Sequence, residues 1–177
     1  MSNVNLFDLT GKVALVTGAS RGIGAAIADR IASLGATVIG TATSQSGASA
    51  IGERLAGHGG HGRVLDVADP ASVEGLLDEV AKAFGPVSIL VNNAGITRDT
   101  TFHRMDASQW QDVINTNLNS CFNVTRPVIE GMRARKWGRI VQISSINGLK
   151  GQYGQANYAA AKAGMHGFTI SLARENA

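Results

Sequence analysis

The sequence predicts an α/β domain in which a parallel β-sheet is covered by helices on both faces. Short apolar runs of Val, Ile and Leu alternate along the 177 residues with longer segments of helical period. The runs are continuous rather than alternating, which is typical of strands buried on both faces. Each of the five runs is followed by a helical segment without any shift in composition, which favours one sheet with crossover helices.

The element boundaries follow from glycine and proline punctuation. The predicted strands lie within 12–18, 36–41, 62–67, 86–93 and 138–145. The predicted helices cover 23–34, 46–56, 70–84, 108–136 and 156–176. Gly35 follows the first helix, Asp69 and Pro70 indicate the cap and first turn of the third, and Gly85 its end. Pro127 predicts a kink or break in the long fourth helix.

Composition argues against secreted and membrane proteins. The first 12 residues lack the basic and apolar regions of a secretory signal, and no apolar run approaches the roughly 20 residues that span a bilayer. The single cysteine, Cys121, cannot form an internal disulfide, so we expect a soluble protein of the reducing cytoplasm. We interpret Cys121 as a small, half-buried apolar side chain.

Two clusters of polar residues have competing interpretations. The net charge is +3, and its densest basic segment, MRARKWGR at 132–139, is typical of a solvated helix end. The alternative is a docking patch for an acidic partner, whereas nucleic acid binding is not expected. His58 and His61 lie in a glycine-rich stretch with no third ligand type nearby, so we predict a solvated loop and no metal site.

A glycine-rich segment, TGASRGIG at 17–24, follows the first strand and opens the first helix. Gly18, Gly22 and Gly24 let the backbone turn tightly and approach a pyrophosphate, whose charge meets the free N–H groups of the helix. Glycines at this spacing alone indicate only a tight turn. Their position at a strand-to-helix junction predicts a dinucleotide site.

The end of the second strand predicts which dinucleotide binds. An NAD site usually has Asp or Glu there, whereas this chain offers only Thr41, Thr43 and Ser44, and Arg21 in the glycine loop adds a positive charge. We therefore predict NADP(H). Asp66, after the third strand, either accepts from the adenine amino group or caps the next helix.

Five motifs in order resemble the short-chain dehydrogenase/reductase family, which implies a Rossmann-like, doubly wound sheet. They are TGxxxGxG at 17–24, NNAG at 92–95, the pair Thr116 and Asn117, a serine thirteen residues before a tyrosine, and YAAAK at 158–162. Within the family, the segments TGASRGIG, VIGTATS, VNNAGITRD and GQANYAAAKAG look most similar to the 3-oxoacyl-[acyl-carrier-protein] reductases.

The resemblance implies a set of site residues. Those that would contact the cofactor are Gly18, Ala19, Ser20, Arg21, Gly22, Ile23, Gly24, Thr43, Asp66, Val67, Asn93, Ala94, Gly95, Tyr158 and Lys162. Those that would act in catalysis are Asn117, Ser145, Tyr158 and Lys162. The substrate would be a 3-oxoacyl group on acyl carrier protein, which would contact Arg135 and Lys136, and the protein would be a homodimer or homotetramer.

Elementary chemistry supports the same assignment. Hydride transfer to a carbonyl carbon creates an alkoxide, which needs a proton donor and a second hydrogen bond, here from Tyr158 and Ser145. Lys162, four residues beyond Tyr158, lies on the same helix face and stabilises a phenolate there. The alternatives are an ordinary packed Tyr–Lys pair, a turn-capping Ser145 and a solvent-facing Asn117.

The chain stops after the helix that carries Tyr158, whereas family members continue with two more strands and a substrate-covering segment. We therefore expect one NADP-binding domain over residues 1–177, truncated after its fifth strand and following helix, with sheet and helix surface left exposed. Two alternatives stay open: an NADP-linked alcohol dehydrogenase of another substrate, and a catalytically silent cofactor-binding protein.

Overall fold

The computed structural model describes residues 7–177, in which five parallel strands form one sheet in the order β3-β2-β1-β4-β5. The strands are β1 (Val13–Val16), β2 (Thr37–Ala42), β3 (His61–Val64), β4 (Ile89–Asn92) and β5 (Arg139–Gln142). All five predicted strands are present, each within or close to its predicted segment. Residues 1–6, where part of the secretory-signal prediction falls, lie outside the described residues.

The helices confirm the predicted alternation. They are α1 (Gly22–Ser33), α2 (Gln45–Leu55), α3 (Pro70–Phe84), α4 (Ala107–Ile114), α5 (Ser120–Ala134), α6 (Asn147–Lys150) and α7 (Ala156–Glu175), with a π-helical turn at Asn115–Asn119. The side chain of Asp69 caps α3 by accepting from the N–H of Ala71, and Gly85 ends that helix with a φ of 96°. The predicted punctuation of α3 is therefore confirmed.

Two apolar clusters cover the two faces of the sheet. Alternate residues of β1 point to opposite sides, so that Leu15 packs with the helices α3 and α5 while Val16 packs with α1 and α2. This is the pattern expected for a central strand that is buried on both faces. The sheet is thus doubly covered, as the sequence predicts.

The two edge strands differ from the predicted full burial. Every residue of β1 and β4 is buried, but β3 and β5 are half-exposed. Among the described residues each edge strand pairs with a single neighbour, and Val141 of β5 is 44% exposed. Exposed sheet surface beside β5 agrees with the expectation from the sequence.

The prediction that Pro127 kinks or breaks the fourth helix is wrong as to a break, and a kink there stays a prediction. Helix α5 runs through Pro127, whose ring lies on the exposed side, where water can satisfy the carbonyl group that proline leaves unpaired. The irregularity lies earlier in the chain, in the π-helical turn that contains Asn117. Such turns insert an extra residue and are frequent at functional sites.

His61 is also placed differently from the prediction. It begins β3 rather than lying in a solvated loop, and its ring stacks on Phe84 with centroids 4.3 Å apart. Burial, and then the charge of Arg63, lower the pKa of His61. His58 remains in an exposed turn.

Candidate functional site

The parallel sheet brings the residues that follow its strands to one edge. Four residues come directly after a strand, namely Thr17, Thr43, Asn93 and Ile143. The pairing register of β1, β2, β4 and β5 aligns these strand ends. This edge is where open α/β sheets bind ligands. The glycine-rich loop, defined here as residues 17–24, begins at the end of β1, the central strand of the sheet.

Two glycines of this loop lie where no side chain fits. Gly18 has a φ of 65°, and a Cβ there would lie 2.9 Å from the Cα of Ala94. A Cβ at Gly24 would overlap the carbonyl oxygen of Gly18 and the side chain of Asn93. The loop therefore needs glycine at both positions to stay against the end of β4.

The start of α1 is open to an anion. Its N-cap residue, Arg21, makes no side-chain cap hydrogen bond, and the first turn has no acidic residue. Ser20, Arg21, Gly22 and Ile23 are exposed around these free N–H groups. This arrangement fits the pyrophosphate of a dinucleotide, which would be held by backbone N–H groups and the helix dipole.

The loop is fastened to β4 by hydrogen bonds. Asn93 Nδ2 donates to the carbonyl oxygens of Thr17 and Gly18 at 2.9 and 3.0 Å. The hydroxyl of Thr17 accepts from the backbone N–H groups of Asn93 and Ala94, both at 3.0 Å. The side chain of Asn93 is thus engaged beneath the loop, and its contact with a cofactor ribose stays a prediction.

The two threonines at the end of β2 have different surroundings. Thr41 is buried and accepts through its carbonyl oxygen from the N–H of Ala19 at 2.8 Å. Thr43 is exposed beyond it, and Ser44 caps α2 by accepting from the N–H of Gly47. Thr43 is therefore the residue available to a ligand at this corner.

Asp66 and Val67 lie at the neighbouring strand end. Asp66 is exposed and accepts from the N–H of Ala68 at 2.9 Å, whereas the cap of α3 is Asp69. The alternative interpretation of Asp66 as that cap is therefore wrong. The side chain of Val67 belongs to the core, so only its backbone could face an adenine.

Tyr158 and Lys162 share one face of α7, as their spacing predicts. Lys162 is 4% exposed, and its Nζ donates to the carbonyl oxygen of Ile143 at 2.7 Å. The same Nζ lies 5.6 Å from the centroid of the half-buried Tyr158 ring. Burial lowers the pKa of Lys162, because the charged ammonium loses water there.

The two serines after β5 have different surroundings. Ser144 donates from its hydroxyl to the carbonyl oxygen of Lys162 at 2.9 Å and lies 2.9 Å from His166 Nε2. Ser145 accepts from the N–H of Asn147 at 3.1 Å. Ser144 is thus occupied with α7, while the hydroxyl proton of Ser145 has no acceptor among the described residues.

Asn117 is buried, so the alternative of a solvent-facing side chain is wrong. It is 1% exposed, and its amide pairs with both backbone groups of Ile96. A Cβ added to Gly95 would lie 3.0 Å from Asn117 Oδ1 and 3.8 Å from Lys162 Nζ. The π-helical turn, the segment after β4 and α7 therefore meet at this point.

Cys121 lies one helical turn beyond Asn117. It is 1% exposed rather than half-buried, and its thiol donates to the carbonyl oxygen of Asn117 at 3.5 Å. Burial raises the pKa of this thiol. In residues 7–177 no group of three or more His, Cys, Asp or Glu side chains could hold a metal ion.

Sequence patterns did not reveal the polar side chains that support the site. Gln155 donates to Asp99 at 2.8 Å and accepts from Asn147 at 2.9 Å, which links the segment after β4 to the turn of Ser145. Ser144 and His166 form a second such link. Asp99 and Gln155 lie within the quoted segments VNNAGITRD and GQANYAAAKAG, but these segments gave them no role, because their contacts form only when the chain folds.

The basic segment at the end of α5 is exposed. Arg135 and Lys136 are both exposed, and Arg135 also donates to the carbonyl oxygen of Val87 at 3.0 Å. Lys136 has a φ of 53° where the chain leaves the helix. Within the described part of the chain, no helix is long and apolar enough to cross a membrane.

Comparison with known families decides what kind of protein has this site. A family model described as short chain dehydrogenase matches residues 12–177. The chain belongs to the short-chain dehydrogenase family. Short-chain dehydrogenases are oxidoreductases, and membership implies a nicotinamide cofactor, which the glycine-rich loop and the open start of α1 fit.

Three curated relatives of this short-chain dehydrogenase carry the same name, 3-oxoacyl-[acyl-carrier-protein] reductase FabG. The Escherichia coli K12 protein is 56% identical over 168 residues, which are 95% of this chain and 68% of that protein. The Pseudomonas aeruginosa protein is 56% identical over 170 residues, 95% of this chain and 69% of the relative. The Salmonella typhimurium protein is 55% identical over 165 residues, 93% and 67% respectively.

Proposed function

We propose that the chain is an NADPH-dependent reductase that converts 3-oxoacyl groups on acyl carrier protein to 3-hydroxyacyl groups in fatty acid biosynthesis. One observation carries the proposal: Lys162 Nζ, buried, donates to Ile143 and lies 5.6 Å from the ring of Tyr158, at the strand edge where the glycine-rich loop begins. The names of relatives that are 55–56% identical supply the substrate class. We further propose that residues 1–177 work as one domain.

The proposed cofactor preference rests on charge at the end of β2. Thr43 and Ser44 are exposed there and carry no negative charge to repel a 2′-phosphate. Arg21, exposed at the start of α1, supplies a positive charge. When bound, the reduced nicotinamide supplies the hydride that the carbonyl carbon accepts.

Tyr158 is proposed as the proton donor. The oxygen of the reduced carbonyl needs a proton as its carbon accepts hydride, and a phenol within hydrogen-bond reach supplies it. Ser145 holds the same oxygen by donating the hydroxyl proton that has no acceptor among the described residues. Ser144 cannot take this role while its hydroxyl donates to Lys162.

Lys162 and Asn117 are proposed to support the acid. The ammonium of Lys162 stabilises the negative charge that remains on Tyr158 after proton transfer. Asn117 fixes the backbone of Ile96, and with it the segment of Gly95 against which Lys162 Nζ lies. By family resemblance, the proton lost from Tyr158 is replaced through Lys162 and water near Asn117.

Arg135 and Lys136 are proposed to contact the acyl carrier protein. Both are exposed at the end of α5 and adjoin Arg133 and Arg139, so that the local charge is positive. A positive patch attracts an acidic partner and accelerates encounter. Replacing Arg135 and Lys136 by Glu is expected to raise KM for the carrier-bound substrate only.

The faces of α5 and α7 are proposed as a contact between two copies of the chain. They form a groove that is lined by Phe122, Ile129, Phe168 and Leu172, and Phe122 is 61% exposed. Apolar surface of this kind marks protein–protein contacts. We therefore propose a homodimer, or a homotetramer built from two such pairs.

One assay separates the proposed function from its alternatives. Loss of NADPH absorbance is followed with an acetoacetyl thioester and, in parallel, with simple ketones. Turnover with the thioester alone supports the proposal, and broad turnover instead indicates an alcohol dehydrogenase of other substrates. No turnover with either, despite NADPH binding, would indicate a silent cofactor-binding protein.

A further inference from the structure

Arg54, near the end of α2, joins three elements of the cofactor region. Its Nη2 donates to the carbonyl oxygen of Ala19 in the glycine-rich loop at 2.7 Å. Its Nε donates to Asp29 Oδ1 on α1 at 2.8 Å. No motif in the sequence includes Arg54, and its partners lie 35 and 25 residues away.

The carbonyl of Ala19 depends on this arginine. Ala19 is 0% exposed, so water does not reach its backbone freely, and Arg54 is the partner of its oxygen among the described residues. The N–H of Ala19 is held separately by the carbonyl oxygen of Thr41. A buried carbonyl oxygen without a partner is unfavourable, and turning the peptide plane toward water would relieve that cost.

The orientation of this carbonyl also determines where the N–H of Ser20 points. The C=O of Ala19 and the N–H of Ser20 belong to one planar, trans peptide unit, so they point in opposite directions. Holding the oxygen toward Arg54 therefore directs the N–H of Ser20 away from α2. Ser20 itself is exposed at the open start of α1.

We propose that Arg54 is a positioning residue for the dinucleotide: it holds the Ala19–Ser20 peptide so that the N–H of Ser20 faces the cofactor phosphates. This rests on the proposed NADP(H) binding. The effect comes from the hydrogen bond rather than from long-range charge, because Asp29 offsets the charge of Arg54 at 2.8 Å. Arg54 does not touch the reacting atoms and should leave kcat unchanged.

The chain offers a matched control. Arg63 forms the same kind of ion pair with Glu79, and its side chain is 31% exposed, against 30% for Arg54. It lies on the edge strand β3, and among the described residues its side chain hydrogen-bonds Glu79 and the carbonyl oxygen of Gly62 rather than the glycine-rich loop. Replacement by Met keeps the apolar stem of either arginine and removes its donors.

The test measures NADPH binding by fluorescence and thermal unfolding for the full chain and four variants. Arg54→Met is expected to raise the Kd for NADPH about five- to tenfold, which is roughly the contribution of one typical hydrogen bond. Arg63→Met should stay within about twofold. Arg54→Lys should restore part of the affinity, since an ammonium can still donate to Ala19. Asp29→Asn should leave the Kd unchanged, whereas a charge mechanism would tighten binding.

Amide hydrogen exchange on the cofactor-free chain gives a readout that needs no binding. Exchange at Ala19, whose N–H donates to the carbonyl oxygen of Thr41, is expected to be faster in Arg54→Met than in the unaltered chain and unchanged in Arg63→Met. If the unaltered chain does not bind NADPH, the proposed function fails, and exchange alone decides the role of Arg54. Equal exchange in both variants, or equal loss of NADPH affinity, would overturn the positioning role.

Discussion

Asn117 pairs with both backbone hydrogen-bonding groups of Ile96. Its Nδ2 donates to the carbonyl oxygen and its Oδ1 accepts from the N–H, each at 2.8 Å. Ile96 follows Gly95, beside which Lys162 Nζ lies, so the amide of Asn117 ties the π-helical turn to the segment that borders the candidate active site. Its burial gives this residue a structural role in addition to any role in a proton relay.

Replacing Asn117 by Leu is expected to destabilise the protein by about 1–3 kcal/mol, because two backbone groups of Ile96 lose their partners. Asn119→Leu is the control, since Asn119 lies in the same π-helical turn and is exposed, and within residues 7–177 its side chain bonds only Asn115. Its effect should stay within about 0.5 kcal/mol. Urea denaturation of both variants measures the difference, and equal losses would refute the role of the Ile96 pairing.

Lys162 should make stability depend on alkaline pH. Burial lowers the pKa of Lys162 in the folded state below its ordinary value of 10.5. Between the folded and unfolded pKa values the unfolded chain binds more protons, so the free energy of unfolding contributed by Lys162 rises with pH in that window. Below the window, the buried ammonium is a net cost to folding.

The variant Lys162→Met removes this dependence. The stability difference between the variant and the unaltered chain should favour the variant most at neutral pH and shrink as pH rises toward 10.5. Denaturation at a series of pH values tests this, with Lys82→Met, an exposed lysine on α3, as the control for removing one positive charge. A difference that is flat with pH, or that grows with it, would contradict a lowered pKa of Lys162 in the folded chain.

Alanine variants of the two serines after β5 should have different effects, one on stability and the other on turnover. Ser144→Ala is expected to cost about 0.5–1.5 kcal/mol, because the carbonyl oxygen of Lys162 loses its hydroxyl donor. Ser145→Ala is expected to lower kcat about 10²- to 10³-fold with NADPH binding retained. Thermal unfolding and steady-state kinetics of both variants provide the comparison. The reverse pattern would mean that Ser144 contacts the substrate.

The sequence predicted those features that depend on local patterns. The glycine spacing at 17–24 and the four-residue spacing of Tyr158 and Lys162 are set by a turn and by a helix, and both are found as expected. The surroundings of Asn117 and Arg54 depend on partners 21 and 35 residues away. Such contacts arise only when the sheet and helices assemble, so no local pattern reveals them.

Two errors have the same origin. Taken locally, Pro127 predicts a helix break. Helix α5 nevertheless continues through it, because the proline ring lies on the exposed side of a helix that tertiary packing holds in place. Taken locally, the glycine-rich sequence around His61 predicts a solvated loop. Pairing of β3 with β2 and stacking of the His61 ring on Phe84 extend the strand to include this residue. In both cases packing outweighed local propensity.

The central claim is that Tyr158 donates the proton, and Tyr158→Phe tests it most directly. The variant removes one hydroxyl and keeps the ring beside Lys162, so NADPH affinity measured by fluorescence should be unchanged. Turnover of NADPH with an acetoacetyl thioester should fall about 10²- to 10⁴-fold, the usual contribution of a general acid. Turnover equal to that of the unaltered chain, with NADPH still bound, would contradict the assignment.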